Sequence, residues 1–94
     1  MKKAAYLSLL LPIIAKYRQR SYEFWLPYLS GEPITSEFVT DDGTECQVEI
    51  NAFWDDKPDG DILVVFSIDD GGWRAFIPVT DSFIIALDGM FVGE

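Results

Sequence analysis

The sequence predicts an α+β domain, with an N-terminal helix or helix pair packed on an antiparallel β-meander of five to six strands. Two observations carry this. Over the first thirty residues, apolar side chains recur every three or four positions, whereas from Ile34 onward the period falls to two. The second part is also punctuated by turns dense in Asp and Gly, namely Asp41–Gly43, Asp55–Gly60, Asp69–Gly72 and Asp88–Gly89. A chain of 94 residues makes one domain, helical over 1–30 and sheet over 34–93. With 49% hydrophobic and 15% aromatic residues, it can fill a core without a disulfide or a structural metal.

The first helix rests on Tyr6, Leu9, Leu10, Ile13 and Tyr17, which share one face, with Leu7, Leu11 and Ile14 widening it. Pro12 cannot donate to the carbonyl of Ser8, so a kink or a fresh start is expected there. Lys16, Arg18 and Arg20 suit the negative end of the helix dipole. Lys2 and Lys3 followed by the apolar run Ala4–Ala15 resemble a secretory leader, but Ser8 and Pro12 interrupt the run and no small-x-small cleavage site follows. The run is also shorter than the roughly 20 residues that a bilayer crossing needs. The expected setting is therefore cytoplasmic, away from membranes. A second, short helix is expected from Ser21, as N-cap, to Leu29, with Pro27 limiting it.

Strands follow at Ile34–Thr40, Thr44–Trp54, Asp61–Asp69, Trp73–Val79, Phe83–Leu87 and Met90–Val92. The second alternates cleanly: Cys46, Val48, Ile50 and Ala52 face the core, and Glu45, Gln47, Glu49 and Asn51 face water. Cys46 is thereby a small buried hydrophobe rather than a nucleophile. The third is apolar on both faces, with Leu63 and Val65 opposite Ile62, Val64, Phe66 and Ile68. Such a strand is central, or its second face is covered by a partner. Thr80–Asp81–Ser82 reads as a turn.

Composition removes whole function classes. There is no histidine and a single cysteine, so His-based triads are excluded and a tetrahedral zinc site is disfavoured. The Asp55–Asp61 turn places Asp55, Asp59 and Gly60 at calcium-loop positions, but Lys57 and Phe66 occupy two positions where ligands are required. No metal and no cofactor is expected. The many carboxylates lie in turns or on polar strand faces, which gives no acid–base pair a pocket, so no enzymatic activity is expected either.

Charge is the more informative feature. The first twenty residues carry five bases and no acid, while residues 21–94 carry two bases and all 16 acids, a net −14. That body repels a phosphate backbone, so direct nucleic-acid binding is not expected, and it attracts a basic protein. In a meander of six strands, Asp41, Asp42, Asp69, Asp70 and Asp88 would gather at one rim and Asp55, Asp56, Asp59 and Asp81 at the other. Glu45 and Glu49 add acids along the second strand. The expected contact residues are Asp41, Asp42, Glu45, Glu49, Asp55, Asp56, Asp59, Asp69 and Asp70, with Trp54 and Trp73 as aromatic anchors.

In size and charge the chain resembles small acidic immunity proteins and phage-encoded anti-defence inhibitors as a class, without a family motif. That likeness implies a non-enzymatic inhibitor that occupies the basic surface of a nuclease or other nucleic-acid-handling protein, with its acids imitating a phosphate track. The competing expectation is a small-ligand or scaffold domain with an apolar pocket lined by Trp25, Phe66 and Trp73. A monomer is expected, or a weak homodimer pairing the basic segment of one copy with the acidic sheet of another.

Overall fold

The computed structural model describes residues 3–71 and 78–93. Helix α1 (Lys3–Tyr17) and the single turn of α2 (Tyr22–Trp25), extended by a 3-10 turn over Leu26–Tyr28, precede four strands: β1 (Ile34–Val39), β2 (Glu45–Trp54), β3 (Ile62–Asp69) and β4 (Val79–Ile85). The strands are antiparallel and ordered β1-β2-β3-β4, so each pairs with its neighbour in sequence.

The helix runs through Pro12 rather than restarting there. Pro12 faces solvent, where water can satisfy the carbonyl its ring leaves without a donor. Tyr6, Leu10 and Ile14, four residues apart, form the buried stripe, flanked by the half-buried Leu7, Leu9, Ile13 and Tyr17. Leu11, expected to widen that stripe, is instead 59% exposed. Ser21 caps α2 as its sequence predicts, its hydroxyl accepting from the Phe24 N–H at 3.2 Å.

One face of the sheet meets the helices. Cys46, Val48, Ile50 and Ala52 of β2, Ile62, Val64, Phe66 and Ile68 of β3, and Val79, Phe83 and Ile85 of β4 are all buried there against Tyr6, Leu10, Ile14, Tyr22 and Trp25. Phe66 bridges helix and sheet in the aromatic packing, its ring 6.2 Å from Tyr17 and 5.6 Å from Phe83. Trp25 touches the rings of Tyr17, Phe24, Tyr28 and Phe83, and its buried Nε1 has no hydrogen-bond partner among the described residues. Two tyrosines fasten the helices to opposite ends of the sheet. The Tyr6 hydroxyl donates to Asp70 Oδ2 at 2.6 Å, and the Tyr22 hydroxyl donates to the Gly60 carbonyl at 2.7 Å.

Among the described residues the sheet has four strands, where the sequence predicts five or six. Of the strand expected at Trp73–Val79, Trp73–Ile77 lie outside the described residues, and its last residue, Val79, opens β4. The triplet read as a turn, Thr80–Asp81–Ser82, is the middle of β4, paired with Ser67, Phe66 and Val65. Polar residues are tolerated there because β4 is an edge strand among the described residues. Asp81, level with the buried Phe66, still reaches water. Past Ile85 the chain turns at Ala86–Met90, with Gly89 at φ 86°, and returns as a single bridge, Ile85 to Phe91, rather than as a strand. No helix among the described residues is long and apolar enough to cross a membrane.

Candidate acidic interface

The strand register places the acids. The β1–β2 turn and the end of β3 lie at the same end of the sheet, which brings Asp41, Asp42, Asp69 and Asp70 together at a first rim. The β2–β3 turn holds Asp55, Asp56 and Asp59 at the opposite rim. Asp88 joins that second rim rather than the first, because β4 ends level with the start of β3, and Asp81 lies within β4 at neither rim. Both departures follow from the register of β4, which runs straight through Thr80–Asp81–Ser82 from the first rim to the second instead of turning there.

At the first rim, Glu37, Glu45, Asp69 and Asp70 line a cleft of about 360 Å³ with Gln47, Val39, Phe38, Gly71 and Cys46. Glu37, Gln47 and Asp69 are register partners on three successive strands, and Glu45 lies opposite Val39. With strands about 4.8 Å apart, Glu37 and Asp69 stand roughly 10 Å from one another. Glu49 continues the acidic face four residues along β2, about 13 Å from Glu45. Its side chain accepts from Asn51 Nδ2 at 3.0 Å. Burial pushes the Cys46 thiol up from its usual range, and the fields of Asp70, Asp42 and Asp69 push it further. At 3% exposure Cys46 is the core residue expected from its strand position.

The tip of the β1–β2 turn is built by its own side chains. Thr40 N–H donates to the Thr44 carbonyl and Gly43 N–H to the Thr40 carbonyl, both at 2.9 Å, and Gly43 takes the φ of 87° that the reversal demands. Asp42 Oδ1 accepts from the Thr40 hydroxyl and, at 3.1 Å, from the Thr44 N–H. Bonds from Thr40 first and then Thr44 lower the Asp42 pKa from 3.8 to about 2. The folded value lies below the unfolded one, so the stability Asp42 contributes is complete above 3.8 and is lost as pH falls through about 2. Carboxyl-carbon NMR should show that low midpoint, and Thr40→Ala should move it up toward 3.8. An unmoved midpoint would rule out the Thr40 hydroxyl as its cause.

Lys16, Arg18 and Arg20 lie on the other side of the molecule, while Lys57 lies in the β2–β3 turn among the acids of the second rim. The Arg18 guanidinium lies 4.2 Å from the Phe91 ring centre, Arg20 4.9 Å from Phe24, and the Lys16 ammonium 5.6 Å from Tyr17. These contacts hold the described helical cations on the helix side, away from the uncovered sheet face.

The aromatic expectations fare differently. Trp54 is half-buried at the end of β2, on the helix-facing side, packed against the core. Trp73 lies outside the described residues. Trp25 and Phe66, expected to line a pocket, are 1% and 0% exposed within the ring cluster and line neither the rim cleft nor the shallower hollow between α1 and the β1–β2 turn. Sequence reading missed Glu37, whose strand mates become known only with the register, and Phe53, which breaks the polar side of β2. Among the described residues no cluster of three or more His, Cys, Asp or Glu is arranged to hold a metal ion. Compared with protein-family models, curated proteins and solved structures, the chain matches none.

Proposed function

We propose that this chain is a non-enzymatic acidic binding protein that occupies, and so neutralises, the cationic surface of a nucleic-acid-handling protein. The observation that supports this best is the first rim. Asp41, Asp42, Glu37, Glu45 and Asp69 converge at one end of the sheet, while Lys16, Arg18 and Arg20 are held over rings on the helix side. A surface of spaced negative charge suits a protein built to grip phosphates, because such grips recognise charge position before base identity. Immunity against a nuclease toxin and inhibition of a defence complex are the two biological settings this reading admits.

The test uses the immobilised chain, extract from its native host, and a charge-neutralised version carrying Asp41→Asn, Asp42→Asn, Glu37→Gln and Glu45→Gln. The intact chain should retain a basic nucleic-acid-binding protein. Retention should fall at least about tenfold between roughly 50 and 300 mM salt, since exposed charges are screened beyond about 8 Å at physiological strength. Short duplex DNA should displace the partner, and the neutralised version should not retain it. Retention indifferent to salt, DNA and neutralisation would overturn the proposal.

A further inference from the structure

The helices cover one face of the sheet, and the described residues place nothing over the other. A solvated sheet face normally alternates polar residues outward. Here the outward positions divide into two halves. Toward the first rim they carry four carboxylates, Glu37, Glu45, Glu49 and Asp69, beside Gln47 and the exposed Val39. Toward the second rim, past Asn51 and Ser82 on either side of Val65, they become apolar. Phe53 pairs with Leu63, and Leu63 with Ile84, so three large side chains stand side by side on adjacent strands, with Val65 next along β3. Phe53 is 50% exposed. No lysine or arginine occupies an outward strand position among the described residues.

We infer that this uncovered face, rather than the turns alone, is the surface on which the partner docks, with the Phe53–Leu63–Ile84 row as anchor and the four outward carboxylates as guide. The inference rests on the binding role proposed above and names where that role is carried out. Charge complementarity decides the occupant. A second copy laid face to face brings no lysine or arginine from its described strands to meet these carboxylates, whereas a basic protein surface with an apolar ridge matches both halves. The division of labour is a general one: charges speed and orient the encounter, and a desolvated aromatic at the centre holds it.

Two synthetic peptides of equal charge test this, one alternating Lys with Leu and the other Lys with Ser, titrated at low salt and followed by amide NMR. The Lys–Leu peptide should bind at least about tenfold more tightly, a difference of roughly 1.4 kcal/mol. Its shifts should centre on Phe53, Leu63 and Ile84. Phe53→Thr should abolish the difference, and Ile84→Thr serves the same purpose should the first variant fail to fold. Equal binding of both peptides, unchanged by these substitutions but weakened by Asp41→Asn with Asp42→Asn, would overturn the docking surface and leave the acidic capture role standing. Binding of neither peptide would overturn both. Sedimentation as a dimer that Phe53→Thr dissolves would give the face to a second copy and overturn the inference.

Discussion

Phe66→Ala should cost the fold about 3–5 kcal/mol, read as a fall in the urea midpoint with an unchanged slope. Phe66 is fully buried at the centre of β3 and links the ring of Tyr17 on α1 to that of Phe83 on β4. Removing it opens a void where helix and sheet meet, and neighbours already locked in ring contact cannot collapse into it. A domain this size has a total stability of roughly 5–14 kcal/mol, so the variant should be at or near the unfolding threshold at 37 °C. A loss below about 1 kcal/mol would mean that the packing around Phe66 is looser than its geometry indicates.

Leu10→Asp and Leu11→Asp, one residue apart, should give opposite results. Leu10 is 0% exposed beneath α1, whereas Leu11 is 59% exposed on its outer side. A carboxylate at position 10 must either enter the core or lift the helix from β3 and β4, at a cost of several kcal/mol. At position 11 it meets only water, and the change should stay within about 0.5 kcal/mol. Thermal unfolding by circular dichroism separates the two directly. Equal losses would mean that the rotation of α1 about its axis is not the one described.

The turns were the most legible part of this sequence. Asp41–Gly43 and Asp55–Gly60 bracket β2 and β3 to within a residue, because a reversal that needs positive φ or a local side-chain bond selects Asp and Gly, as Gly43 and Asp59, at φ 66°, illustrate. The reading failed where polarity had another cause. Thr80–Asp81–Ser82 has the composition of a turn but lies on an edge strand, where outward positions are solvated and even the inward-register Asp81 reaches water. That one error displaced Asp88 from one rim to the other. For the candidate site, the rim acids could be named from sequence, and the second apolar face of β3 already suggested a cover. Which residues stand beside Leu63 could not be known before the register was, so Phe53 and Ile84 emerged only with the paired strands.

The order of these elements along the chain also bears on how the molecule is made. α1 packs against β3 and β4, and β4 begins 62 residues after α1 ends, from Tyr17 to Val79. At about 5–20 residues per second, synthesis leaves the greasy helix without its seat for roughly 3–12 seconds after it is complete. During that interval Leu10 and Ile14 lack the complete sheet that shelters them in the fold. Shielding by a chaperone at the ribosome, or early pairing of β1 with β2, would then decide how much newly made chain reaches the native state.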